Sequence, residues 1–164
     1  TRPGIYDVDA LGFNFRMSEV EAAVGLAQMD KLDRFQQQRT DNYAALRSAL
    51  SEMDEITVFA AEKGTARGAH YCLNAVLPRD GSVDRFAVMD FLKDRGIGFS
   101  VHYPEAVPLF TYYKEKYGYK NGQFPNAEWL AQQTISLPVG PHVPPEGVER
   151  IAAVFKDAVR ASRS

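Results

Sequence analysis

The sequence has a single cysteine, Cys72, and no long apolar run. One thiol excludes an internal disulfide and a cysteine-based zinc site. Nothing approaches the roughly 20 apolar residues that a membrane-spanning helix needs, so no membrane partner is expected. No apolar segment follows Thr1-Arg2-Pro3-Gly4, so no signal peptide is read and the cytoplasm is the default location. Lys and Arg are scattered and the formal net charge is −2, which gives no basic patch for nucleic acid. His70, His102 and His142 lie far apart without a His-x-x-x-His pair, so no metal site is expected. A Gly-rich phosphate loop and a Gly-x-Ser-x-Gly nucleophile motif are also missing. At 164 residues, 45% hydrophobic and 24% charged, the chain is long enough for one well-cored domain, with or without an arm.

What is present centres on Leu11-Gly12-Phe13-Asn14-Phe15-Arg16-Met17-Ser18-Glu19-Val20-Glu21-Ala22-Ala23. Ser18 and Glu21 have the spacing of a capping box and predict a helix start. The following Ala22-Ala23-Val24-Gly25-Leu26-Ala27 is apolar on every side, so this turn is expected to be packed all round. From Leu32 the apolar residues Phe35, Tyr43, Leu46, Leu50 and Met53 form one stripe, giving a long helix, straight or kinked. The chain divides into an extended arm (1–17), a long inter-domain helix (18–53) and an α+β domain (54–164).

Within the last part, Ile56–Phe59 is a short strand candidate. Tyr71, Leu73, Ala75 and Leu77 alternate with His70, Cys72, Asn74 and Val76, which predicts a strand with one apolar face. A helix from about Val83 to Arg95 carries Phe86, Met89 and Leu92 and stops at Gly96. Ile97 to Tyr103 alternates again, and strand–helix–strand in this order is consistent with a βαβ unit. Pro104 ends that strand. A short helix is expected over Leu109–Tyr117, and Asn126 is placed as the cap of another. Thr134–Leu137 is a last strand, ended by Pro138. Pro144-Pro145 opens a final helix with the stripe Val148, Ile151, Ala152, Phe155, Ala158 and Val159. The sum is a sheet of three or four strands covered by helices, an α+β two-layer domain.

The segment Gly12, Asn14, Arg16, Met17, Ser18, Ala22 and Ala23 resembles the DegT/DnrJ/EryC1/StrS family of pyridoxal-phosphate (PLP) aminotransferases. His102-Tyr103-Pro104, Phe124-Pro125-x-Ala127-Glu128 and Ser136-Leu137-Pro138 extend the resemblance over nearly the whole chain. Phe15 departs from the tyrosine usual in the family. The resemblance implies the small C-terminal domain of a fold-type I PLP-dependent transferase with a long N-terminal helix. It also implies a ping-pong reaction between an amino-acid donor and a nucleotide-linked keto-sugar, in a homodimer. The chain opens part-way through the family pattern and lacks an initiator Met, so it is expected to be a fragment or a separated domain.

In the family the residue matching Asn14 donates its amide to the PLP phosphate bound in the neighbouring subunit; a local asparagine turn is the plainer alternative. Arg16 is expected to be structural. The family places a histidine like His102 near the sugar, which makes His102 and its neighbour Tyr103 candidate substrate contacts; a strand-end histidine with one satisfied bond is the alternative. If Tyr103 shares the apolar face, His102 points the other way, toward a cleft or a second domain. None of Lys31, Lys63, Lys93, Lys114, Lys116, Lys120 or Lys156 has the setting of a Schiff-base lysine, so the chain by itself carries no catalytic residue and is not expected to transaminate. Phe110, Tyr112, Tyr113, Tyr117, Tyr119 and Phe124 are expected to be core or subunit contact, with stacking on a base or sugar ring beside Lys114, Lys116 and Lys120 as the alternative. Two other outcomes stay open: a non-catalytic α+β interaction module with its apolar helix buried internally, and a PLP-dependent sugar dehydratase.

Overall fold

A strand that buries every second residue needs a hydrophobic layer on one side only, and this protein supplies it with helices. The computed structural model describes residues 10–13, 15–59, 65–66 and 68–163. Two compact units divide it, Thr1–Asp33 and Arg34–Ser164. Asn14 lies outside the described residues.

Helix α1 spans Glu19–Leu50 without a break and belongs to both units. Its start is the expected capping box: Ser18 N–H donates to Glu21 Oε2 at 2.8 Å, and Glu21 N–H to Ser18 Oγ at 3.3 Å. In the first unit the apolar turn is not packed all round, as the sequence led us to expect. Val20, Val24, Leu26 and Met29 are 75, 58, 69 and 62% exposed, because no described segment of this chain covers them.

In the second unit α1 buries Tyr43, Leu46 and Leu50, the C-terminal part of the expected stripe. Strands β1 (Thr57–Val58), β2 (Cys72–Val76) and β3 (Thr134–Pro138) form an antiparallel sheet in the order β1-β2-β3. Leu73, Ala75, Ile135 and Leu137 turn to the core, where α1 and helices α2 (Arg85–Asp94) and α5 (Pro145–Ala161) supply Leu46, Leu50, Val88, Leu92 and Phe155. All six expected residues of the α5 stripe are buried. Burying a side chain the size of Leu or Phe contributes about 2 kcal/mol, so this layer holds the sheet in place.

Several expectations are corrected. The strand over Ile97–Tyr103 reduces to one bridge, Ser100 with Ser136. Gly98 within the stretch and Pro104 after it leave little room for a longer ladder. The βαβ pair is therefore not adjacent: β2 and the Ser100 segment both run antiparallel to β3, which lies between them. Helix α2 is capped by Asp84, whose carboxylate accepts from the N–H groups of Phe86 and Ala87, and it buries Val88 rather than Phe86. Gly96, at φ +67°, ends it as expected. The helix expected from Leu109 is a 3-10 turn, Val107–Leu109, followed by α3 (Thr111–Tyr117). Asn126 does not cap α4 (Pro125–Gln133); Pro125 takes the first position, and Glu128 accepts from the N–H groups of Phe124 and Gly122, each at 2.9 Å.

Candidate functional site

The face of the sheet opposite the helices carries the polar alternates Cys72, Asn74 and Ser136. Ser136 exchanges both backbone hydrogen bonds with Ser100, at 2.8 and 3.0 Å, so its backbone polar groups point away from β2. Toward β2 it therefore faces Asn74 as a non-hydrogen-bonded pair, the closer kind, with Cα atoms typically about 4.5 Å apart. Their side chains meet: Ser136 Oγ donates to Asn74 Oδ1 at 2.7 Å.

His102 stands two residues beyond Ser100 on the adjoining segment and joins the same group, its Nδ1 lying 3.2 Å from Ser136 Oγ. Cys72 Sγ lies 3.5 Å from the same Asn74 Oδ1. Burial pushes the Cys72 thiol above its ordinary range, an effect that its interaction with Ser136 partly offsets, so the sulfur keeps its proton at neutral pH. The result is a continuous polar chain from Cys72 through Asn74 and Ser136 to His102. Ser136 is buried and Asn74 is exposed.

Tyr71 and Tyr103 flank the imidazole, with ring centroids 6.0 and 5.7 Å from it. Tyr103 is 65% exposed, so it does not share the apolar face as the sequence suggested. The orientation of His102 follows instead from its bond to Ser136.

Beside this group opens a cavity of about 550 Å³, lined among others by Tyr71, Cys72, Ser100 and Ser136. Arg39 of α1, Arg150 of α5 and His142 also reach it, and among the described residues no carboxylate does. The wall formed by residues 139–143 is held by Asn42, which donates to the carbonyls of Val139, Gly140 and Val143 at 3.4, 3.2 and 2.9 Å.

Of the residues singled out in the sequence, His102 and Tyr103 stand together on this face. Asn14 cannot be placed among them, since it is outside the described residues. Asn74, Ser136, Cys72, Arg39 and Arg150 were not singled out as functional. The alternation that put Asn74 opposite Leu73 and Ala75 was a usable signal, as was Ser136 inside a family motif; the register that joins them was not visible. Among the described residues no lysine lines the cavity. Among the described residues there is no metal-binding cluster, and no helix is long and apolar enough to cross a membrane. The aromatics of α3 and of the loop after it are not core: Tyr112, Tyr113, Tyr117 and Tyr119 are 61, 38, 54 and 36% exposed and pack on one another.

Three comparisons bear on this arrangement. The chain is 31% identical over 159 residues to the spore coat polysaccharide biosynthesis protein SpsC of Bacillus subtilis, covering 96% of this chain and 40% of that protein. It superimposes with a TM-score of 0.80 on S. venezuelae DesV, solved in complex with a ketimine intermediate, at 25% identity over 99% of this chain and 42% of that one. Helicobacter pylori PseC, an aminotransferase involved in the biosynthesis of pseudoaminic acid, shares the fold with a TM-score of 0.79 at 20% identity, over 98% of this chain and 42% of that one. The chain thus spans about two fifths of the length of these relatives. Residues 2–156 match the sequence pattern of the DegT/DnrJ/EryC1/StrS aminotransferase family, and the chain belongs to that family.

Proposed function

We propose that this chain is the C-terminal domain of a PLP-dependent aminotransferase that aminates a nucleotide-linked keto-sugar, using an amino acid as donor. The observation that carries the assignment is the polar face itself. In a chain that matches the family over residues 2–156, His102 is held by Ser136 beside a cavity with arginines and, among the described residues, no acid. Such a face suits a polyhydroxylated, anionic ligand.

When bound, PLP supplies the electron sink and the amino-group carrier. The residues of this chain have simpler tasks. His102 and Tyr103 orient the sugar at the sheet face. Asn14 donates its amide to the phosphate of the cofactor in the neighbouring subunit, which makes the working unit a homodimer. Covalent attachment of the cofactor is assigned to a large domain; among the described residues no lysine lines the cavity. The cytoplasm is the proposed location.

The exposure of Val20, Val24, Leu26 and Met29 favours this assignment over a self-contained interaction module, which would cover them internally. The family's large domain is the proposed cover.

The test takes the chain through incubation with PLP, borohydride reduction and peptide mass analysis. No stoichiometric adduct on a single lysine is expected; one such adduct overturns the assignment of the lysine to another domain. Supplied with the large domain of a family member, the chain should convert glutamate to 2-oxoglutarate in the presence of a nucleotide-linked keto-sugar. Absence of that turnover in a folded complex overturns the proposal.

A further inference from the structure

The hydroxyl of Ser136 has one proton and two neighbours that want it. Asn74 Oδ1 is 2.7 Å from Ser136 Oγ, and His102 Nδ1 is 3.2 Å away. An amide oxygen can only accept, whereas an imidazole nitrogen can donate or accept according to tautomer. The proton therefore goes to Asn74, along the shorter contact, and the second contact is satisfied only if His102 supplies its own Nδ1–H. The Cys72 S–H points at the same Oδ1 from 3.5 Å, so the Asn74 oxygen sits where two donors converge.

We propose that the Asn74–Ser136 pair fixes neutral His102 as the Nδ1–H tautomer, so that Nε2 meets the ligand as a hydrogen-bond acceptor and selects a hydroxyl or amine donor over a phosphate or carbonyl oxygen. The Nε2 lone pair lies in the ring plane on the side away from Ser136. The tautomer ordinarily favoured in water carries its proton on Nε2, so the protein is imposing the minor form. Asn74 and Ser136 are positioning residues; only His102 touches the ligand. The ligand preference rests on the assignment of His102 to the sugar, and it narrows that assignment to the hydroxyl groups. The cavity's Arg39 and Arg150 are left to serve the anionic end.

The test reads the tautomer directly, on the chain labelled with ¹⁵N-histidine. Long-range ¹H–¹⁵N correlation spectra are recorded at a pH of about 9, well above the reference imidazole range. His102→Gln identifies the signals. The native chain should show a protonated Nδ1 and a bare Nε2. Asn74→Ala frees the Ser136 proton to turn toward Nδ1, and the Nε2–H form should then rise several-fold. Asn74→Asp keeps an acceptor at that position and should retain the native pattern. Asn74 is exposed, and unchanged backbone spectra confirm that its variants fold. A native Nε2–H form overturns the inference, as does an Asn74→Ala spectrum identical to the native one. In the complex with a large domain, His102→Gln should raise the KM for the keto-sugar about tenfold, the scale of one lost hydrogen bond. An unchanged KM there, with the tautomer as inferred, removes the assignment of His102 to the sugar and with it the ligand preference. The tautomer result itself would stand.

Discussion

Asn42 and Val143 are 101 residues apart in sequence and joined by a 2.9 Å hydrogen bond from the side-chain amide to the carbonyl. The same nitrogen lies within 3.4 Å of the carbonyls of Val139 and Gly140. One buried amide thus ties the long helix to the wall of the cavity. Asn42→Ala should lower the unfolding free energy by about 2 kcal/mol, read from the urea midpoint, because it leaves buried carbonyls without a donor. Asn42→Asp should cost more, since it turns an acceptor toward acceptors. Equal stability of Asn42→Ala and the native chain would refute this role.

Stability should fall in acid in a way set by two carboxylates in the turn after α1. Glu52 is held below its ordinary pKa by its hydrogen bond with Lys156 of α5. Glu55 is lowered chiefly by a bond from its own backbone N–H, with Arg163 adding to it. A carboxyl depressed in the folded state contributes stability above its unfolded pKa, and loses it as pH falls through the folded value. The melting temperature of the native chain should therefore drop more steeply below about pH 4.5 than that of the Glu52→Gln/Glu55→Gln double variant. Parallel curves would remove the two pairs as the cause.

The capping box makes a separate prediction at the other end of α1. Glu21 is held below its ordinary value by the Ser18 backbone N–H first and by the Ser18 hydroxyl second. Ser18→Ala removes only the second, so the Glu21 carboxyl should titrate higher than in the native chain yet still below a free glutamate. A ¹³C titration of the side chain measures this. Full return to the free value would mean that the backbone half of the box depends on the hydroxyl half.

Cys72 should be a slow thiol. Burial raises its pKa and its contact with Ser136 lowers it somewhat, so alkylation by iodoacetamide should gain speed only above the usual thiol range. Ser136→Ala should push the rising limb to still higher pH. A shift toward neutral would contradict the polar chain described for this face.

Much of the fold could be read from single residues. The α5 stripe, the Gly96 stop and the Ser18–Glu21 box are all local patterns, and local patterns survive in the structure. What escaped depended on distant partners. Ser100 pairs with Ser136, and Asn74 faces Ser136 across 62 residues; a period-2 pattern says which face a residue takes but not which neighbour it meets. His102 was visible as a strand-end residue with an uncommitted ring, whereas the serine and amide that orient it were not. The α4 cap was missed for a related reason: Glu128 reaches back to Phe124 and Gly122 from inside the helix, so Asn126 at the start looked the better cap.

The unbroken run of α1 has a consequence for the order in which it forms and comes apart. Among the described residues α1 is anchored in a core through Tyr43, Leu46 and Leu50, toward its C-terminal end. Helical order is therefore expected to spread backward, from Leu50 toward Glu19. In native-state hydrogen exchange the amides should lose protection steadily along that direction, and Ser18 with Glu21 acts as the clasp at the free end.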